Sequence, residues 1–186
     1  MIEKARSFRT GIVLLAWLCA TSVHADEADF SGIVTHVFDG DSFLVRPYAA
    51  SKDVDVRLMD IDAPEKDQPY ADAARNALVN LIEGRRVFVD VVEIDRYGRK
   101  VAKVHREPDR LEIARTLVHA GHVWVNRRYA KDPTFAKLED TARSKHFGLW
   151  SLPADQLMPP WQFRRRVREE GGVAAKKNEK RIEKLN

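Results

Sequence analysis

The stretch Asp53-Val54-Asp55-Val56-Arg57-Leu58-Met59-Asp60-Ile61-Asp62-Ala63-Pro64-Glu65 decides the fold. Val54, Val56 and Leu58 alternate with Asp53, Asp55 and Arg57, so a strand over 53–59 buries one face and wets the other. Pro64, with no N–H to give a ladder, ends it. Upstream, 30–37 reads as a strand stopped by the Asp39-Gly40 turn, and 42–46 as a second strand stopped by Pro47. Downstream, Pro69 to Glu83 reads as a helix. Ala73, Ala74, Leu78, Leu81 and Ile82 recur at helical spacing, and Gly84 closes it. Two more strands, 86–93 and 100–105, flank a turn containing Tyr97-Gly98. Helices are predicted over 111–120, ended by Gly121, and over 135–146, ahead of Gly148. This order predicts an α+β fold: a small closed five-stranded barrel of the oligonucleotide-binding (OB) type with about three α-helices.

The ends have a different composition. Residues 1–25 carry Lys4, Arg6 and Arg9, then an apolar run of about 13 residues, then Val23-His24-Ala25. The run is short of the ~20 residues that span a bilayer. The expectation is a signal peptide over 1–25, export to the periplasm or medium, and no stable membrane association after cleavage. Cys19, the only cysteine, lies in that segment, so a chain cut after Ala25 folds without disulfides. A basic, highly charged tail, partly helical or disordered, is expected over 159–186 with no role in the fold; it holds nine basic and four acidic residues. The body, 26–158, holds 20 basic and 23 acidic residues, so any nucleic-acid surface on it must be a local patch. The tail is expected to add a salt-dependent grip on nucleic acid.

Three short stretches carry chemistry: Asp39-Gly40-Asp41-Ser42, the 57–65 segment, and Asp95-Arg96-Tyr97-Gly98-Arg99. Asp41 follows the first turn and Asp62 the third strand. If those strands are neighbours, both carboxylates meet at one rim. Two aspartates, the Ala63 carbonyl and waters suit a hard cation such as Ca²⁺. An EF-hand is excluded, because the loop lacks glycine at its sixth position and has Pro64 in the way. Asp39 reads as a turn former. Glu65 reads either as a solvated loop residue or as a carboxylate able to take a water's proton beside the cation. Arg57 and Arg99 are candidates for a bidentate grip on phosphate, or for surface salt bridges. His119 and His122 read as helix-end residues.

The motifs DGDS, VRLMDIDAPE, DRYGR and LVHAGHVWV, in this order from about Phe30 to Trp150, resemble the thermonuclease family, the staphylococcal-nuclease-like calcium-dependent nucleases. The resemblance implies an OB-fold enzyme that hydrolyses DNA and RNA with Ca²⁺ and cuts the 5′ P–O bond to leave 3′-phosphates; a monomer is expected. It implies Asp41, Asp62 and the Ala63 carbonyl as metal ligands, Glu65 as general base, and Arg57 and Arg99 on the scissile phosphate. Arg96, Arg127 and Tyr129 are the candidate substrate contacts. Tyr129 resembles one of two tyrosines lining the nucleotide pocket of the best-known member, and Arg127 falls at the other. That member has threonine at the place of Ala63, and a longer segment between the general base and the first helix. Two other classes compete: a non-catalytic OB-fold module that binds nucleic acid, and a calcium-binding structural protein. The second leaves the arginines without a role.

Overall fold

The structure, a computed structural model, describes residues 28–183, with side chains described as far as Gly171. The expected signal peptide, 1–25, and the side chains of the basic run from Lys176 to Lys184 lie outside the described residues.

The predicted strands form as β1 (Phe30–Val37), β2 (Ser42–Pro47), β3 (Val54–Leu58), β5 (Arg86–Ile94) and β6 (Lys100–Arg106), with a two-residue β4 (Ile61–Asp62) between the third and fourth. β1 pairs antiparallel with β2 and β5, β2 with β3, and β5 with β6. A parallel pairing of β3 with β6, Arg57 opposite Val101, closes the barrel. Closure follows from the period-2 pattern. The inward residues Phe43, Val45, Val56, Leu58, Val87, Val89, Ala102 and Val104 are all buried. Each large aliphatic among them contributes about 1.5–3 kcal/mol of burial energy.

The first helix, α1 (Ala71–Ile82), buries Ala74, Leu78 and Ile82. It starts two residues later than the pattern suggests, because Tyr70 turns the chain with a left-handed φ of 73°. The next helix, α2 (Ile113–His119), begins after β7 (Leu111–Glu112), two residues that pair with β6 instead. Asp132 caps α3 (Pro133–Ser144) through the Thr134 N–H at 2.8 Å, with Pro133 in the first turn, so this helix starts ahead of 135. Between α2 and α3 lies β8 (Trp124–Val125), which pairs with β4 so that Trp124 faces Asp62. Gly121, at φ 72°, lets this chain reversal press against the Phe147 carbonyl; a Cβ there would lie 2.3 Å from that oxygen.

The charged C-terminal segment departs from expectation in its docking, not in being helical. It forms a fourth helix, α4 (Pro160–Glu183), and its first turns dock on the body. Trp161 meets Trp124 edge-on at 6.1 Å, and Gln68 Nε2 donates to the Met158 carbonyl at 2.8 Å just ahead of the helix. The expectation that this segment has no fold role is therefore corrected. Among the described residues no helix is long and apolar enough to cross a membrane.

Candidate active site

A cleft of about 470 Å³ opens at one rim of the barrel, between the β1–β2 turn, the loop after β4 and the start of α1. Its lining includes Asp41, Arg57, Asp62, Ala63 and Glu65. The tight β1–β2 turn delivers Asp41. Asp39 accepts the Asp41 N–H at 2.9 Å, the turn role expected of it. Gly40 is required by crowding: a Cβ there would sit 2.8 Å from Ala63 Cβ and 3.0 Å from Ala74 Cβ. Ser42 pairs with Arg57 across β2 and β3, which sets Asp41 beside the base of the Arg57 strand. The β4–β8 pair fixes Asp62 from the other side.

Both aspartates are buried, Asp41 at 2% exposure and Asp62 at 1%. One guanidinium joins them: Arg57 donates to Asp41 Oδ1 at 2.8 Å and to Asp62 Oδ1 at 2.9 Å. Asp41 also accepts from the Ser42 hydroxyl and from the Ala63 N–H, each at 2.8 Å. Burial pushes the Asp41 carboxyl up, to about 7, against the pull of Arg57. Burial opposes the charge on Arg57 as well, but Asp41 and Asp62 outweigh it and raise the guanidinium above its ordinary value.

The donors fit a hard divalent cation. Two converging carboxylates and a neighbouring backbone carbonyl, that of Ala63, are all oxygen, and calcium tolerates water in its remaining positions. Among the described residues no group of three or more His, Cys, Asp or Glu is gathered as a metal cluster, so a cation held here would need backbone and water ligands as well.

Glu65 lines the same cleft, and its carboxylate is taken by Arg164 of α4. Arg164 also forks onto Asp62, with Nη2 2.7 Å from Oδ2 and Nη1 3.2 Å from Oδ1. Burial opposes its charge, yet the hydrogen bonds and charge of Asp62 and Glu65 hold its pKa above the ordinary value. Arg164 was not among the residues expected here. Lys66 and Arg75, which the motifs do not mark, line the cleft, whereas Arg164 reaches its carboxylates from outside the lining.

Arg99 is not gathered into the cleft. Its Nε donates to Asp95 Oδ2 at 2.8 Å, and its backbone N–H to Asp95 Oδ1 at 3.0 Å. Burial works against the Asp95 charge, but the Arg99 side chain and two backbone N–H groups hold the carboxyl below the usual range. The β3–β6 register nevertheless puts Arg99 beside Asp55, one same-face step along the barrel from Arg57. Arg96 stacks at 4.8 Å over the exposed Tyr97 ring in the same turn. Tyr129 is exposed, with Arg128 over its ring at 5.6 Å. Arg127 is engaged by Glu139 at 2.8 Å. None of Arg96, Arg127 and Tyr129 lines the cleft.

Residues 55–152 match the family model described as staphylococcal nuclease homologue. The chain is 40% identical over 139 residues to an uncharacterized endonuclease of Escherichia coli O157:H7, covering 75% of this chain and 88% of that protein. It is 37% identical over 148 residues to the micrococcal nuclease of Shigella flexneri, covering 74% and 82%. It is 39% identical over 147 residues to protein ParB of Escherichia coli, covering 74% and 81%.

The chain belongs to the staphylococcal nuclease homologue family.

The part matching the staphylococcal nuclease homologue model contains Arg57, Asp62, Ala63, Glu65 and Arg99, whereas Asp41 lies ahead of it and Arg164 beyond it. The closed barrel with its helices agrees with the OB-like architecture expected from the motifs.

Proposed function

We propose that this chain is an exported, calcium-dependent nuclease that hydrolyses phosphodiester bonds in DNA and RNA, acting as a monomer in the periplasm or outside the cell. The observation that carries this reading is the pair of buried carboxylates, Asp41 and Asp62, converging on Arg57 in a cleft that also holds Glu65. The relatives named as nucleases support the reaction class.

Asp41, Asp62 and the Ala63 carbonyl would hold the cation, which supplies positive charge beside the phosphate and eases ionisation of a water. Glu65 takes the proton of the attacking water at a carboxylate oxygen. The water oxygen forms the new bond to phosphorus in line with the 5′ P–O bond, which breaks. Its electron pair leaves with the 5′ oxygen, which picks up a proton from solvent, and a 3′-phosphate remains. Arg57 has five N–H donors and spends two on the aspartates, so others are free for the phosphate oxygens. Arg99 exchanges Asp95 for the phosphate as charge builds on it. Tyr129 and Arg96 would meet the nucleotides flanking the cut.

End-group analysis of products tests the reading. Fragments carrying 3′-phosphate and 5′-hydroxyl ends, formed with calcium and absent with chelator, are expected. Metal-independent cutting, or 5′-phosphate ends, would overturn it. Export is tested by fractionating cells that express the full chain and finding the protein shortened by residues 1–25.

A further inference from the structure

Arg164 comes to the cleft from α4, 102 residues after Asp62. Its guanidinium engages both oxygens of Asp62 and one of Glu65. Asp62 Oδ1 already accepts Arg57, so three of the roughly four acceptor positions of this carboxylate are taken by N–H donors, two of them by Arg164. A divalent cation seated on Asp62 must draw on the same oxygens. Charge gives the same answer. When ionised, Asp41, Asp62 and Glu65 bring three negative charges and Arg57 returns one. The remaining two equal the charge of one divalent ion, and Arg164 neutralises half of that.

The helix beyond Arg164 is tied to itself more than to the body. From Arg165 to Gly171 every residue is exposed, so these turns are not packed on the body. Arg165 approaches Glu169 at 3.9 Å and Arg166 approaches Glu170 at 3.6 Å, pairs that support the helix from within rather than tie it to the barrel. What docks it lies at its start: the buried Pro160, the half-buried Phe163, the Trp161–Trp124 contact, the Gln68–Met158 bond and the Arg164 fork.

We propose that Arg164 is an internal competitor for the divalent cation: α4 holds Asp62 and Glu65 as a counter-charge, and cation binding releases it. This rests on the reading of Asp41 and Asp62 as cation ligands. Arg164 thereby sets the metal concentration at which the site loads, and it frees the Glu65 carboxylate at the moment the cation arrives.

Calcium chloride is titrated calorimetrically into the purified wild-type protein and into Arg164→Ala, Arg164→Lys and Asp41→Asn. Removing a half-exposed fork onto a buried carboxylate should tighten calcium binding on the order of tenfold in Arg164→Ala. Arg164→Lys, which keeps charge but loses the fork, should fall between. Limited trypsin digestion is the second readout. Calcium should speed cutting among Arg164, Arg165, Arg166 and Arg168 in the wild type. Arg164→Ala should be cut fast in chelator, with little further effect of calcium. Binding that is lost in Asp41→Asn but unchanged or weaker in Arg164→Ala overturns the competition alone. Binding that Asp41→Asn leaves intact overturns the cation assignment, and the competition with it.

Discussion

Glu139→Ala should destabilise the protein by about 3 kcal/mol. Glu139 is 1% exposed, and its carboxylate accepts the Val125 N–H at 2.9 Å and Arg127 at 2.8 Å, with Arg143 at 3.2 Å. Alanine leaves a backbone N–H without its acceptor, a loss of roughly 1–3 kcal/mol. It also removes one buried methylene, worth about 0.8 kcal/mol. The arginines contribute less to the loss, because both side chains are about half exposed and return to water. For a domain of this size ~3 kcal/mol lowers the melting temperature by about 6–12 °C. Glu139→Gln keeps an acceptor for Val125 and should cost about half as much. The damage should reach the site, because Val125 and Trp124 form the strand that pairs with Ile61 and Asp62. Scanning calorimetry of the three proteins in chelator, with calcium titrations alongside, makes the test. A Glu139→Ala protein within ~1 kcal/mol of wild type refutes the reasoning, and so does Glu139→Gln as unstable as alanine, which would put the weight on the surface ion pairs.

Gly40→Ala should cost about 1–3 kcal/mol by overpacking against Ala63 and Ala74, and weaken calcium binding as the Ala63 loop yields. Calorimetry reads both, and unchanged calcium affinity would detach that loop from the cation. Arg99→Ala should keep its melting temperature within a few degrees while turnover falls on the order of 10²–10³-fold, because its partner Asp95 is near solvent and its proposed work is on the transition state. Loss in KM alone would make Arg99 a mere binding residue. His122, which shares a 2.9 Å hydrogen bond with the Tyr70 hydroxyl, is held below its ordinary 6.5 by burial. The unfolded chain therefore takes up this proton first, so stability is full above about pH 6.5 and declines as pH falls below it. Urea unfolding across that range should show the decline in the wild type and a flatter line in His122→Gln.

The barrel was legible because Val54, Val56 and Leu58, and the matching positions of its other strands, each repeat at period two over several residues. β4 and β8 were not, since two residues carry no period; yet this pair holds Asp62 in place. Asp41, Arg57, Asp62 and Glu65 could be found because each sits in a turn or at a strand end with a local signature, and they do share one cleft. Arg127 shows the limit of reading a position alone. As a residue it suggests a nucleotide contact, whereas the fold engages it with Glu139, a carboxylate twelve residues on that reads in sequence as one more polar position of a helix. Arg164 left no signal at all. It lies in a segment whose composition suggests solvent, and its partners are separated from it by 99 and 102 residues.

The most direct measurement is nuclease activity of the purified protein on single-stranded DNA, double-stranded DNA and RNA, with calcium or with chelator, beside a Glu65→Gln/Arg57→Ala variant. Calcium-dependent cleavage that vanishes in the variant is the predicted result. A folded wild-type protein that binds DNA without cutting it, or a variant that cuts as well as wild type, would contradict the account.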